Sequence, residues 1–132
     1  MTTVAIAYLA ARILTCGIWI AAGLYKATHF AFTVAEMTEL GIPLARIALP
    51  IVIVLELVGS TMLIIDYYAW AVCIAWLIFL VPASYIYHYR FILDNGTIVF
   101  PQFVTFFKNV SIAGGLITII LLDASRPAWL LT

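Results

Sequence analysis

Four apolar runs, each near the roughly 20 residues needed to cross a bilayer core, constrain this chain more than any other feature. They lie at about 4–25, 44–65, 67–89 and 103–122 of 132 residues. Hydrophobic residues make up 67% of the chain and charged residues 9%. A soluble domain carries about a quarter charged residues, so this chain cannot clothe itself in water. The expectation is all-α: an integral membrane four-helix bundle, one transmembrane domain over 1–132, with the lipid bilayer as its solvent. Basic and acidic residues number six each, which gives no electrostatic case for nucleic acid as a partner. No basic n-region precedes the first run, and the run outlasts signal-peptide length, so it reads as a span.

The polar residues of the first run are ordered. Arg12, Cys16, Trp19, Gly23 and Lys26 stand at offsets 0, 4, 7, 11 and 14, which places them within roughly 40° of one line down a helix. A charge inside a membrane helix has to face protein. The stripe is therefore the interior face of the first helix.

The connections carry signals of their own. In the first, Thr33 and Glu36 match a capping box and Phe32 and Met37 a hydrophobic staple, with Gly41 and Pro43 closing the segment. This predicts a short interfacial helix at about 34–40, with Pro43 in the first turn of the second span. Pro50 and Pro82 should bend the second and third spans. Asp66 reads as the N-cap of the third span in a very short turn. In the second connection, Asp94-Asn95-Gly96 predicts a small hairpin, 91–93 against 97–99. Four spans put both long connections on one side, near Lys26, Arg46, Arg90 and Lys108; the positive-inside rule makes that side cytoplasmic.

Glu56 is the sharpest chemical feature. It stands mid-run in IVIVLELVG, about 15 Å below Arg46 along the helix. Counted from the opposite end of the first run, Arg12 reaches a similar depth, and two charges there should pair across the bundle. Three readings stay open: an Arg12–Glu56 pair that fixes register, a carboxylate that titrates or binds a quinone-like or other polar ligand, or a protonated carboxyl. Lys108 and Asn109 begin the fourth span and either snorkel to the interface or turn inward as donors. On that face Ser111 and Gly115 are spaced for close helix packing, with Gly114 adding to it. His88 closes the third span among interfacial tyrosines (Tyr85, Tyr87, Tyr89), where an anchoring role is the plain reading. Cys16 and Cys73 sit in apolar runs and read as packed thiols. No metal-ligand spacing is present.

Taken in order, these residues resemble the DoxX family of small four-helix membrane proteins. The pattern is Arg12 in the first helix, Gly23 and Lys26 at its end, then Gly41-Ile42-Pro43. Glu56 and Gly59 follow in the second helix, His88 closes the third, and Lys108, Asn109, Gly114 and Gly115 open the fourth. The resemblance implies a prokaryotic cytoplasmic (inner) membrane protein, often an accessory to a redox partner such as a quinol oxidase or a thiosulfate:quinone oxidoreductase. The aromatic run 100–107 departs from the pattern by lengthening the second loop, and reads as a partner-docking surface.

Two functions follow. One is a non-catalytic accessory or anchor subunit of a respiratory or oxidoreductase complex, with Arg12, Lys26, Glu56, His88, Lys108 and Asn109 as candidate ligand residues around a bound quinone. It carries no cofactor ligands of its own, so electrons would arrive from another subunit. The alternative is a structural or assembly protein, in a complex or a homo-oligomer, whose buried charges only fix helix packing.

Overall fold

A computed structural model describes residues 2–88 and 91–125. Tyr89, Arg90 and the side chain of His88 lie outside the described residues. Five helices follow in chain order: α1 (Thr3–Thr28), α2 (Phe30–Glu39), α3 (Ala45–Ile64), α4 (Ala69–His88) and α5 (Phe100–Ser125). α1, α3, α4 and α5 are long and apolar enough to cross a membrane, and the fold is an all-helical membrane fold of four spans. The helices group into two compact units, one ending at Ala69 and one running Trp70–Ser125.

In the first unit α1 and α3 run antiparallel, Arg12 lying beside Leu63 and Gly23 beside Leu57. The buried face of α1 is Ala5, Tyr8, Arg12, Cys16, Trp19 and Gly23, the predicted stripe extended one turn and more toward the N-terminus. Opposite it α3 buries Leu49, Glu56, Gly59, Ser60 and Leu63. The outer faces keep residues such as Leu14 (78% exposed) and Ile51 (63%), apolar surface that suits a lipid environment.

α2 forms, but its start differs from the sequence reading. Thr33 lies inside the helix, and its Oγ1 donates to the His29 carbonyl (2.8 Å) rather than capping. Phe32 is exposed while Met37 is buried, so the two do not staple. The stop is as expected. Gly41 takes φ +79, Gly41 N–H reaches the Thr38 carbonyl and Ile42 N–H that of Met37, the bond pair of a Schellman cap. Ile42 and Met37 then join Ala45 and Leu49 in a small apolar core between α2 and α3. Pro43 lies outside α3, whose N-cap is Leu44 at φ 53. Pro50 and Pro82 stand inside α3 and α4.

A second Schellman cap ends α3. Asp66 N–H bonds the Leu63 carbonyl and Tyr67 N–H that of Met62, with Asp66 at φ 62 in the position glycine usually holds. Aspartate is among the few residues that accept this conformation. Asp66 therefore stops α3, and α4 begins three residues later at Ala69.

In the second unit Asp123 accepts from the Trp70 N–H in the first turn of α4 (3.3 Å), and Asn109 Nδ2 donates to Ser84 Oγ (2.9 Å). Both bonds fit one antiparallel register of α4 on α5. The hairpin is present: Ile92 and Ile98 bridge, Leu93 N–H bonds the Thr97 carbonyl, and Gly96 turns the chain at φ +82. The aromatic run 100–107 is no loop. It forms the first two turns of α5, and Phe91 packs onto Phe103, Phe106 and Phe107 at centroid distances of 5.3, 5.4 and 6.2 Å. Lys108 therefore stands two turns inside the helix. A Cβ built on Gly114 or Gly115 meets nothing within 4 Å among the described residues, so neither glycine makes the close packing expected of it within its own unit.

Candidate functional site

The polar residues of the first unit form a seam between α1 and α3. At one end Arg12, 7% exposed, donates from Nη1 to the Leu63 carbonyl (3.2 Å) and pairs with Asp66 Oδ1 at 3.3 Å. Its guanidinium also lies 4.7 Å from the centre of the Tyr8 ring, within cation–π range. Midway, Cys16 Sγ donates to the Ser60 carbonyl (3.5 Å) and Ser60 Oγ to the Glu56 carbonyl (2.6 Å). At the far end Lys26 Nζ meets Glu56 Oε1 at 2.5 Å.

Glycine sets that last distance. A Cβ on Gly23 would stand 2.8 Å from Leu57 Cδ2 and 2.9 Å from Leu57 Cγ, so that Leu57 would have to shift, and 3.3 Å from Glu56 Cβ, a tight contact. The bare backbone at Gly23 brings α1 onto α3 at the level of Glu56, and Lys26, one turn on, reaches across. Glu56 is 1% exposed, while a quarter of the Lys26 side chain is exposed. The pair is thus asymmetric: a fully enclosed acceptor under a cation at the edge.

The expected Arg12–Glu56 pair is not made. α1 has 26 residues and α3 20, and the extra length of α1 extends past the C-terminal end of α3. Arg12 is consequently level with the α3 stop, where Asp66 waits, and Lys26 is the cation level with Glu56. Asp66 was missed as an ionic partner because its neighbours spell a turn. Its left-handed conformation is the signal that it stops α3, and that places its carboxylate beside α1.

Arg12 Nε and Glu56 Oε2 are enclosed in this seam without a hydrogen-bond partner among the described residues. The second matters more chemically. A carboxylate with one oxygen on an ammonium and the other bare retains the capacity to accept a further hydrogen bond. Leaving such an acceptor unsatisfied costs about 1–3 kcal/mol or more.

The remaining candidates belong to the second unit. Asn109 is half-buried and held by Ser84. Lys108 is exposed, on the face shared by Ser111 and Gly115. His88 ends α4, on a stripe whose members Trp70 and Val81 are exposed. Arg12, Lys26 and Glu56 are gathered in one unit, and His88, Lys108 and Asn109 in the other.

Four spans, with ion pairs at the interface of two of them, define a class: a small multi-pass membrane protein that keeps charge between its helices. A family model described as DoxX matches residues 7–89, and the chain belongs to the DoxX family. It is similar to the inner membrane protein YphA of Escherichia coli (strain K12), with 30% identity over 106 residues, 80% of this chain and 75% of that protein. No solved structure matches.

Proposed function

We propose that this protein is an accessory or anchor subunit of a membrane oxidoreductase complex, and that its Glu56–Lys26 pair borders the site of a quinone-type carrier. The observation that carries the reading is Glu56 Oε2, an enclosed carboxylate oxygen lacking a hydrogen-bond partner among the described residues beside a cation at the edge. A charge is kept at this depth, at a cost of several kcal/mol, where it has work to do or a partner to hold. A quinone supplies reversible two-electron, two-proton chemistry when bound. Glu56 would accept from a hydroxyl of the reduced, quinol form and Lys26 would donate to a carrier oxygen, while the electrons pass through another subunit.

One arrangement favours the alternative of a purely structural protein. The pairs Arg12–Asp66 and Lys26–Glu56 bracket the α1–α3 interface, as a register device would. The test is purification of the tagged chain in mild detergent with mass spectrometry of what co-elutes. An oxidoreductase subunit in stoichiometric amount supports the proposal; a chain that elutes alone, or only with copies of itself, supports the structural reading.

A further inference from the structure

The hairpin between α4 and α5 has two apolar faces. Side chains alternate along its strands, so Phe91 and Val99 share one face and Ile92 and Ile98 the other. At the base of the first face Phe91 packs on the α5 aromatics and Val99 is half-buried, while Leu93, nearer the tip, is 48% exposed. On the second face the bridged pair Ile92 and Ile98 is 59% and 53% exposed. We propose that this pair is a lipid-contacting wedge, holding the hairpin in the membrane at the boundary between acyl chains and headgroups.

The depth follows from helix lengths. α4 has 20 residues, about 30 Å at 1.5 Å per residue, which matches the hydrocarbon core. The register set by Trp70–Asp123 and Ser84–Asn109 puts residue 88 level with residue 105. α5, with 26 residues, therefore overhangs α4 chiefly at its N-terminal end, by residues 100–104. Phe91 touches Phe103, Phe106 and Phe107, which straddle that level. The base of the hairpin is thus drawn down beside α5 to the edge of the core instead of standing off it, and Val99 leads into α5 with no linker. Within 91–99 the one charged residue is Asp94, at the tip with Asn95 and Gly96. Apolar base and polar tip match the polarity gradient of an interface. The face is also continuous with Phe100 (69% exposed) and Val104 (45%) on a membrane-spanning helix.

Spin labels test this in the full chain reconstituted into phosphatidylcholine–phosphatidylglycerol vesicles. Cysteines are placed singly by Ile92→Cys, Ile98→Cys and Asn95→Cys and labelled in the folded protein, where Cys16 and Cys73 are 0% exposed; the unsubstituted chain serves as the background. Collision with oxygen, which partitions into lipid, is compared with collision with a water-soluble nickel chelate. The expected oxygen-to-nickel ratio is severalfold higher at 92 and 98 than at 95. Nickel access at 92 and 98 equal to that at 95 would overturn the proposal in favour of a hairpin standing in water. Exclusion of both reagents would overturn it in favour of a protein partner or a second copy.

Discussion

Lys26 Nζ lies 2.5 Å from Glu56 Oε1 across the α1–α3 interface, and Gly23, one helical turn earlier, lets the two backbones come that close. Close packing and charge pairing are therefore a single feature of this unit. A bulkier residue at 23 would separate the helices where the ion pair depends on their approach.

Gly23→Ala should lower stability. Overpacking costs about 1–3 kcal/mol, and the preference of a helix for Ala over Gly, about 1 kcal/mol, offsets only part of it. Gly115→Ala, where a Cβ meets nothing within 4 Å, should be neutral or gain up to about 1 kcal/mol. Denaturation of both variants in detergent micelles checks the difference. Equal effects would mean that the α1–α3 approach is looser than 2.8 Å implies.

Lys26→Met leaves Glu56 enclosed without its cation. Breaking a buried pair from one side costs roughly 3–5 kcal/mol, and the partial exposure of Lys26 sets the expectation at the lower end. Adding Glu56→Gln to Lys26→Met should recover part of the loss, because the uncompensated charge is removed. A double-mutant cycle measures this. Simply additive losses would show that the two side chains do not act as a pair.

Asp66 has two jobs that separate by substitution. Asp66→Asn keeps a side chain that tolerates φ 62 but removes the charge facing Arg12, at a cost of about 1–3 kcal/mol, between exposed and buried pairs. Asp66→Ala should lose about 1–2 kcal/mol more, for forcing a Cβ without a local acceptor into the left-handed region. Denaturation midpoints order the two variants. Equal midpoints would remove the conformational role.

Much of this fold was legible because lipid demands so much of a sequence. Four spans, the buried stripe of α1, the Gly41 stop and the Asp94-Asn95-Gly96 hairpin all follow from periodicity and turn chemistry. The capping box failed because only one residue separates α1 from α2: His29 N–H still bonds the Tyr25 carbonyl of α1 while its own carbonyl starts α2, leaving Thr33 inside the helix. The aromatic run 100–107 was misread as loop because its apolar side chains also suit a helix start packed on Phe91. The ionic pairing was the least legible part. Depths counted from run ends cannot fix the stagger of two helices of unequal length, and a slip of nearly three turns moved Arg12 from Glu56 to Asp66.

If the Glu56–Lys26 pair receives a carrier, the chemistry of the free oxygen sets its redox form. An ionised carboxylate accepts hydrogen bonds and cannot donate them, so Glu56 Oε2 should favour a hydroxyl over a carbonyl. A short-chain hydroquinone should raise the melting temperature of the purified protein more than the matching quinone. Glu56→Gln, whose amide also donates, should erase or reverse that preference. Equal shifts from both forms in the unsubstituted protein would place the ligand oxygen away from Glu56.

The most direct measurement is the total of quinone and quinol extracted per chain after mild-detergent purification, for the unsubstituted protein and Glu56→Gln at equal membrane abundance. A carrier retained by the unsubstituted chain and lost from Glu56→Gln is the predicted result. A chain that carries none, or a Glu56→Gln variant that retains as much, would contradict a ligand site at this pair and leave its charges to packing alone.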